Sequence, residues 1–170
     1  YNKLGEKVVA SLNKRHFDAY YFSSTEEAVE MILNLIPKEN IVSWGGSMTA
    51  QELNIYNVLK ENNYKLIDRD TAKSPDERSD LMHQSLLCDS YIMSANAITE
   101  EGELFNIDKV GNRVAALSYG PKNVIVIAGM NKIVKNIDEA YSHVRNTVAP
   151  ENVQRLGLNT PCFVTGQCSD

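Results

Sequence analysis

Residues 40–49 read NIVSWGGSMT, and this stretch decides the class of fold. Its first half is short, β-branched and aromatic, which suits a buried strand. Gly45-Gly46 then lets the backbone turn sharply. A helix is expected to open at Met48 or Thr49, with Thr49 and Glu52 spaced as a capping box. A buried strand that feeds a helix through a glycine turn is the unit from which parallel α/β sheets are built.

The same alternation runs outward in both directions. Upstream, Leu4, Val8 and Leu12 recur at helical spacing, and the aromatic run 16–22 (HFDAYYF) reads as a strand and its packing. Ser24 and Glu27 form a capping box before Val29, Ile32, Leu33 and Ile36, one face of a helix that Pro37 ends. Downstream, 64–67 is a strand, 70–75 a polar loop, and 76–87 a helix with acidic residues in its first turn. Residues 90–93 form a strand, and Glu101-Gly102 turns a hairpin between 97–99 and 104–107. Gly111-Asn112 starts a helix with Val110, Val114 and Leu117 on one face, which Gly120-Pro121 closes. The run VIVIA at 124–128 is expected to be a strand buried on both faces. Ile133, Ile137, Ala140, Tyr141, Val144 and Val148 form one helical stripe that Pro150 ends. No repeat or linker interrupts the pattern. The expected fold is a single α/β domain over residues 1–155, a mainly parallel sheet flanked by helices with an inserted β-hairpin, followed by a cysteine-containing tail over 156–170.

Bulk properties narrow the function. The chain has 170 residues, 43% hydrophobic and 23% charged, which is ordinary for a globular domain. Seventeen Lys and Arg against 22 Asp and Glu leave a net charge of −5, so no basic stripe for nucleic acid is expected. The longest strongly apolar run, 124–130, is far below the roughly 20 residues that span a bilayer. Three cysteines make no disulfide framework. A cytoplasmic protein without membrane insertion is expected, and a homodimer is the usual state for such domains. The chain opens at Tyr1 rather than Met, so further N-terminal residues are expected before it.

Two stretches could carry chemistry. In the first, Trp44, Gly45, Gly46, Ser47 and Thr49 lie where a strand ends and a helix begins, the usual ligand position in open α/β sheets. The helix N-terminus and the hydroxyls suit a small anionic ligand, a phosphate or carboxylate. The same residues also suit a plain tight turn, because neither a Walker loop nor a dinucleotide fingerprint is present. Trp44 could stack on a ligand or serve the core. In the second, Asn96 precedes a hairpin, and Asp108, Asn112 and Arg113 follow it. Arg113 near a helix start is disfavoured by the dipole unless it binds an anion or pairs with Asp108. An ordinary surface ion pair reads equally well. Cys88 reads as a small core residue, whereas Cys162 and Cys168 lie in a Pro/Gly/Thr loop. Thiolates in such loops serve iron–sulfur or zinc sites, although two ligands do not complete one. His83 on the 76–87 helix reads as a buried or solvent-exposed residue rather than a catalytic one, and His16 and His143 have no carboxylate or cysteine grouped around them. The charged run 68–80 reads as a solvated surface or a loop beside the pocket.

Residues 94–108 and 111–113, with GMNKIV (129–134), APEN (149–152), Pro161-Cys162, Thr165-Gly166 and Cys168, together resemble the LUD-domain family of bacterial lactate-utilisation proteins. The resemblance runs from the Trp44–Ser47 turn to the tail. It implies a fold similar to the superfamily of ribose-5-phosphate isomerase, glucosamine-6-phosphate deaminase and CoA-transferases. It implies anion contacts at Gly45, Gly46 and Ser47 and an acidic catalytic residue, with Asp108 first and Glu101 second. It also implies a tail whose cysteines continue past Asp170 towards an iron–sulfur cluster or zinc. The implied role is in oxidising L-lactate to pyruvate beside iron–sulfur partner proteins of one operon. No flavin or nicotinamide motif is present, so hydride transfer would fall to a partner. Two other readings stand beside it. One is a stand-alone isomerase or acyl/CoA-transferase-like enzyme acting on a small phosphorylated or carboxylate substrate. The other is a metal- or iron–sulfur-carrying binding module.

Overall fold

The computed structural model describes residues 1–168. Helix α1 (Asn2–Lys14) buries Gly5 and Val8. Helix α2 (Thr25–Asn34) starts on Ser24, whose hydroxyl accepts from the Glu27 N–H as the capping box predicts. Strand β1 (Ile41–Trp44) enters the glycine turn. Helices α3 (Met48–Glu52) and α4 (Ile55–Glu61) follow, separated by Asn54 at φ 55°, a left-handed position that Asn tolerates better than most residues. Strand β2 (Lys65–Ile67) leads through a 3-10 turn at Arg69–Thr71 to helix α5 (Pro75–Ser85). Strands β3 (Ser90–Met93), β4 (Ala97–Thr99) and β5 (Leu104–Phe105) come next. Then come helix α6 (Asn112–Tyr119), strand β6 (Asn123–Val126) and the short strand β7 (Ile133–Val134). Helix α7 (Ile137–His143) continues through a π-helical turn at Val144–Val148 into α8 (Ala149–Leu156), and α9 (Pro161–Thr165) closes the order.

The protein is α/β, with two compact units. The first, Phe22–Ser94 with Asp108–Ala128, is built on a parallel sheet in the order β2-β1-β3-β6. Val42 pairs with Leu66, Ser43 with Tyr91, and Tyr91 with Val124. Helices make every crossover, as parallel pairing requires. One face packs Val42, Trp44, Ile92 and Ile125 against Ile32, Ile36, Ala50, Ile55 and Leu59. The other packs Tyr91 and Met93 with Cys88 and Ala116. Strand β6 corrects its expected burial. It lies at the sheet edge, where Ile125 is buried and Asn123, Val124 and Val126 are half-covered. Helices can cover both faces of an edge strand but not its open side.

The second unit comprises Tyr1–Tyr21, Ala95–Ile107 and the chain from Gly129 on. Strands β4 and β5 form the expected antiparallel hairpin, and β7 adds in parallel, giving the order β5-β4-β7. Ala97, Val134, Ala140 and Val144 form its core. Gly102 turns the hairpin at φ 84°, and a Cβ there would lie 2.8 Å from the Ser11 carbonyl carbon. Only glycine meets both demands.

Three expectations change in this unit. Ile133 belongs to β7, and the helical stripe begins at Ile137, where Asn136 caps Glu139. Pro150 does not end the helix. It sits in the first turn of α8, after a π turn that shifts the hydrogen-bond pattern ahead of a residue lacking an N–H. The run 16–22 forms no strand. His16 leaves α1 at φ 65°, Phe17 and Tyr20 are exposed, and the Tyr21 ring lies on Gly5.

Candidate functional site

The glycine turn lies at the carboxyl end of β1. The Gly45 N–H still donates to the Ile92 carbonyl at 2.9 Å, extending the sheet by one bond. Tyr56 donates its hydroxyl to the Gly45 carbonyl at 3.3 Å and stacks on Trp44 with ring centroids 4.6 Å apart. Gly45 is buried and Gly46 exposed. A Cβ on Gly45 would come within 3.0 Å of the Arg113 side chain and 3.2 Å of the Tyr91 hydroxyl. This glycine therefore permits a close approach of side chains to the backbone.

Ser47 corrects the expected cap. It is buried, with an extended backbone, and its hydroxyl accepts from the Ala50 N–H at 3.1 Å. Thr49 lies half-buried inside the helix instead. Helix α3 has only five residues, little more than one turn, so the field expected from its N-terminus is small.

Asp108 and Arg113 come together, and the geometry gives Asp108 a structural task. One carboxylate oxygen accepts from the backbone N–H groups of Arg113 and Val114 at 2.9 and 3.2 Å, closing the first turn of α6. The other lies 3.7 Å from Arg113 Nε. Arg113 also donates to the Ser94 carbonyl at 2.7 Å. The dipole penalty on Arg113 is thus offset by a carboxylate just ahead of the helix. Asn112 opens α6 and is half-buried.

Arg69 is the residue that the sequence did not single out. It lies in the charged run read as solvated surface, between Asp68 and Asp70. Those carboxylates pair elsewhere, Asp68 with Lys60 at 3.4 Å and Asp70 with Arg78 at 2.9 Å. Among the described residues no ion pair includes Arg69. Its Nη1 reaches only the Met82 sulfur at 3.8 Å, and its Nε is buried without an acceptor. Its Nη2 lies 3.0 Å from where a Gly46 Cβ would stand. The Tyr56 and Tyr91 hydroxyls lie in its field. Burial pushes both phenols up to about 12, against the opposing pull of this guanidinium. Both stay protonated at neutral pH; Tyr56 spends its proton on the Gly45 carbonyl, whereas Tyr91 can donate beside Gly45. No local pattern marks Arg69, because its neighbours in sequence suggest ion pairs that the fold makes with other partners.

The remaining candidates lie in the second unit. Asn96 bridges the hairpin, accepting from the Ile107 N–H at 3.0 Å and donating its own N–H to Phe105 at 3.1 Å. Glu101 is exposed at the turn, where its carbonyl accepts from Arg15 Nε at 2.8 Å. The two acidic candidates thus belong to different units. Cys162 is buried on α9, 3.2 Å from the Thr160 hydroxyl, and Cys168 is half-buried. Among the described residues no group of three or more His, Cys, Asp or Glu could hold a metal ion. Two thiols fall short of the four ligands of a structural zinc or iron–sulfur site. Cys88 is buried in the first unit's core, where burial lifts its thiol to about 11. No helix of the described residues is long and apolar enough to cross a membrane.

No curated protein and no solved structure matches the chain significantly. The family model of the LUD domain matches residues 5–170, essentially the whole chain. The chain belongs to the LUD-domain family.

Proposed function

We propose that this protein binds a small organic anion at the Gly45-Gly46 turn and serves as a subunit in bacterial L-lactate oxidation. The family's association with lactate utilisation supports the second half of this reading. One observation carries the first half: the Arg69 guanidinium faces the turn with no carboxylate partner and a buried, unsatisfied Nε. A buried N–H without an acceptor costs on the order of 1–3 kcal/mol, and a bound carboxylate or phosphate would supply that acceptor. The Tyr91 hydroxyl lies beside Gly45 and stays protonated, so it can donate to the same charge. Asp108 is committed to the α6 cap and to Arg113, which favours binding over acid–base chemistry at that position. Iron–sulfur partner proteins, a cytoplasmic setting and a homodimer belong to the same reading.

The test is thermal denaturation with L-lactate, pyruvate, acetate and inorganic phosphate at millimolar levels. A ligand that binds only the folded state raises the melting temperature by mass action. A flat response to all four in wild-type protein would sink the anion reading. Deleting the gene should stop growth of the host on L-lactate, and unaffected growth would sink the lactate role.

A further inference from the structure

We propose that the cavity beside Trp44 receives a hydroxylated carbon chain carried by the anion at Gly46, so that the ligand is a polyhydroxy acid rather than lactate. This rests on the anion reading above and specifies its ligand class. The cavity lies wholly within the first unit and measures about 310 Å³. It is open to solvent on one side, and its volume is about ten times the roughly 30 Å³ share of one liquid water, well above what a three-carbon acid occupies.

The cavity abuts the turn. Tyr56 lines it and bonds the Gly45 carbonyl, and Asp68 and Asp70, which also line it, flank Arg69. Trp44 forms a wall at 3% exposure, and its indole N–H has no acceptor. Donors and acceptors alternate around the rest. Asn57 gives its amide N–H to Asn54 at 2.6 Å, which leaves the Asn57 carbonyl oxygen and the Asn54 amide nitrogen for a ligand. Gln51 adds one group of each kind. Lys60 balances Asp68 at 3.4 Å and Arg78 balances Asp70 at 2.9 Å, so the cavity offers no unpaired cation to a second anion. A hydroxyl both donates and accepts, and a row of them satisfies such a lining more fully than an apolar or singly charged group. The aromatic wall suits the C–H face of the chain.

Trp44 is the protein's one tryptophan, so its fluorescence reports on this cavity directly. The full chain is titrated with sodium L-lactate, one hydroxyl, and sodium D-gluconate, five hydroxyls, and each Kd is checked by thermal shift. Two or more added hydrogen bonds predict that gluconate binds about tenfold tighter or better. In Gln51→Ala/Asn57→Ala, both exposed positions, that advantage disappears and the lactate Kd is unchanged. Gluconate binding no tighter than lactate, including no response to either, overturns the inference, as does an advantage that survives the double substitution. Arg69→Gln reads the anion contact alone. If it weakens both ligands while gluconate has no advantage, only the present inference fails. If it weakens neither, the anion reading fails and this inference with it.

Discussion

Replacing Arg69 with Met should stabilise the free protein and remove its response to anions. Met keeps an apolar chain of similar length and deletes the guanidinium, whose Nη1 reaches Met82 and whose Nε is buried without an acceptor. An unsatisfied buried N–H costs about 1–3 kcal/mol. Some of that cost disappears with the group, while the loss of the weak contact to Met82 offsets part of the gain. A net gain of about 1 kcal/mol is expected, or about 2–4 °C in melting temperature for a chain of this size. The same change deletes charge-assisted hydrogen bonds of about 1.5–3 kcal/mol, a loss of roughly 10- to 150-fold in anion affinity. Calorimetric melts with and without ligand read both quantities in one experiment. A higher unliganded Tm with no ligand-induced shift is the signature of a site that holds strain for function. A fall in the unliganded Tm would show that Arg69 is well satisfied where it lies. A retained shift would place the anion elsewhere. Either result refutes the reasoning.

Gly102→Ala combines a positive φ with a Cβ 2.8 Å from the Ser11 backbone. Urea denaturation should show a loss of about 2–4 kcal/mol, and a loss under about 1 kcal/mol would mean that the hairpin turn relaxes freely. Asp108→Ala removes the cap on two α6 N–H groups and should cost about 1–2 kcal/mol. Asp108→Asn should keep most of the stability, because Asn caps nearly as well; equal losses in the two variants would contradict the capping role. Burial raises the Cys88 thiol from 9.0 to about 11. Between pH 9 and 11 the unfolded thiol therefore loses its proton while the native one keeps it, and stability falls over that window. Cys88→Ala should flatten the decline in pH-dependent urea midpoints, and an unchanged slope would refute the assignment.

Much of the fold was legible because its signals are local. The β-branched 41–44 run, the glycine pair after it and the Ser24–Glu27 box each need only neighbouring residues to act. The errors arose where a distant partner decides. Residues 16–22 have strand-like composition but pair with no strand, so they remain extended coil. Ile133 fits the helical stripe of 137–148, yet pairing with Ile98 makes it a strand residue. The 124–126 run is apolar enough for a central strand, but the crossover order leaves it at the edge. The site divides in the same way. Gly45, Gly46, Asp108 and Arg113 carry local marks of turn and helix start, and two of them do meet in an ion pair.

By itself, then, the sequence determined the α/β class, the parallel sheet's helical crossovers, the hairpin and the Ser24 cap of α2. These depend on backbone preferences and on periods of two or 3.6 residues, which act within one element. Only the tertiary structure decided which charges are spent and which remain. Asp68 and Asp70 stand beside Arg69 in the chain, but the fold commits them to Lys60 and Arg78. Electrostatic pairing depends on distance in space, and local sequence order does not set it. That is why the cation placed at the glycine turn came to light only after folding.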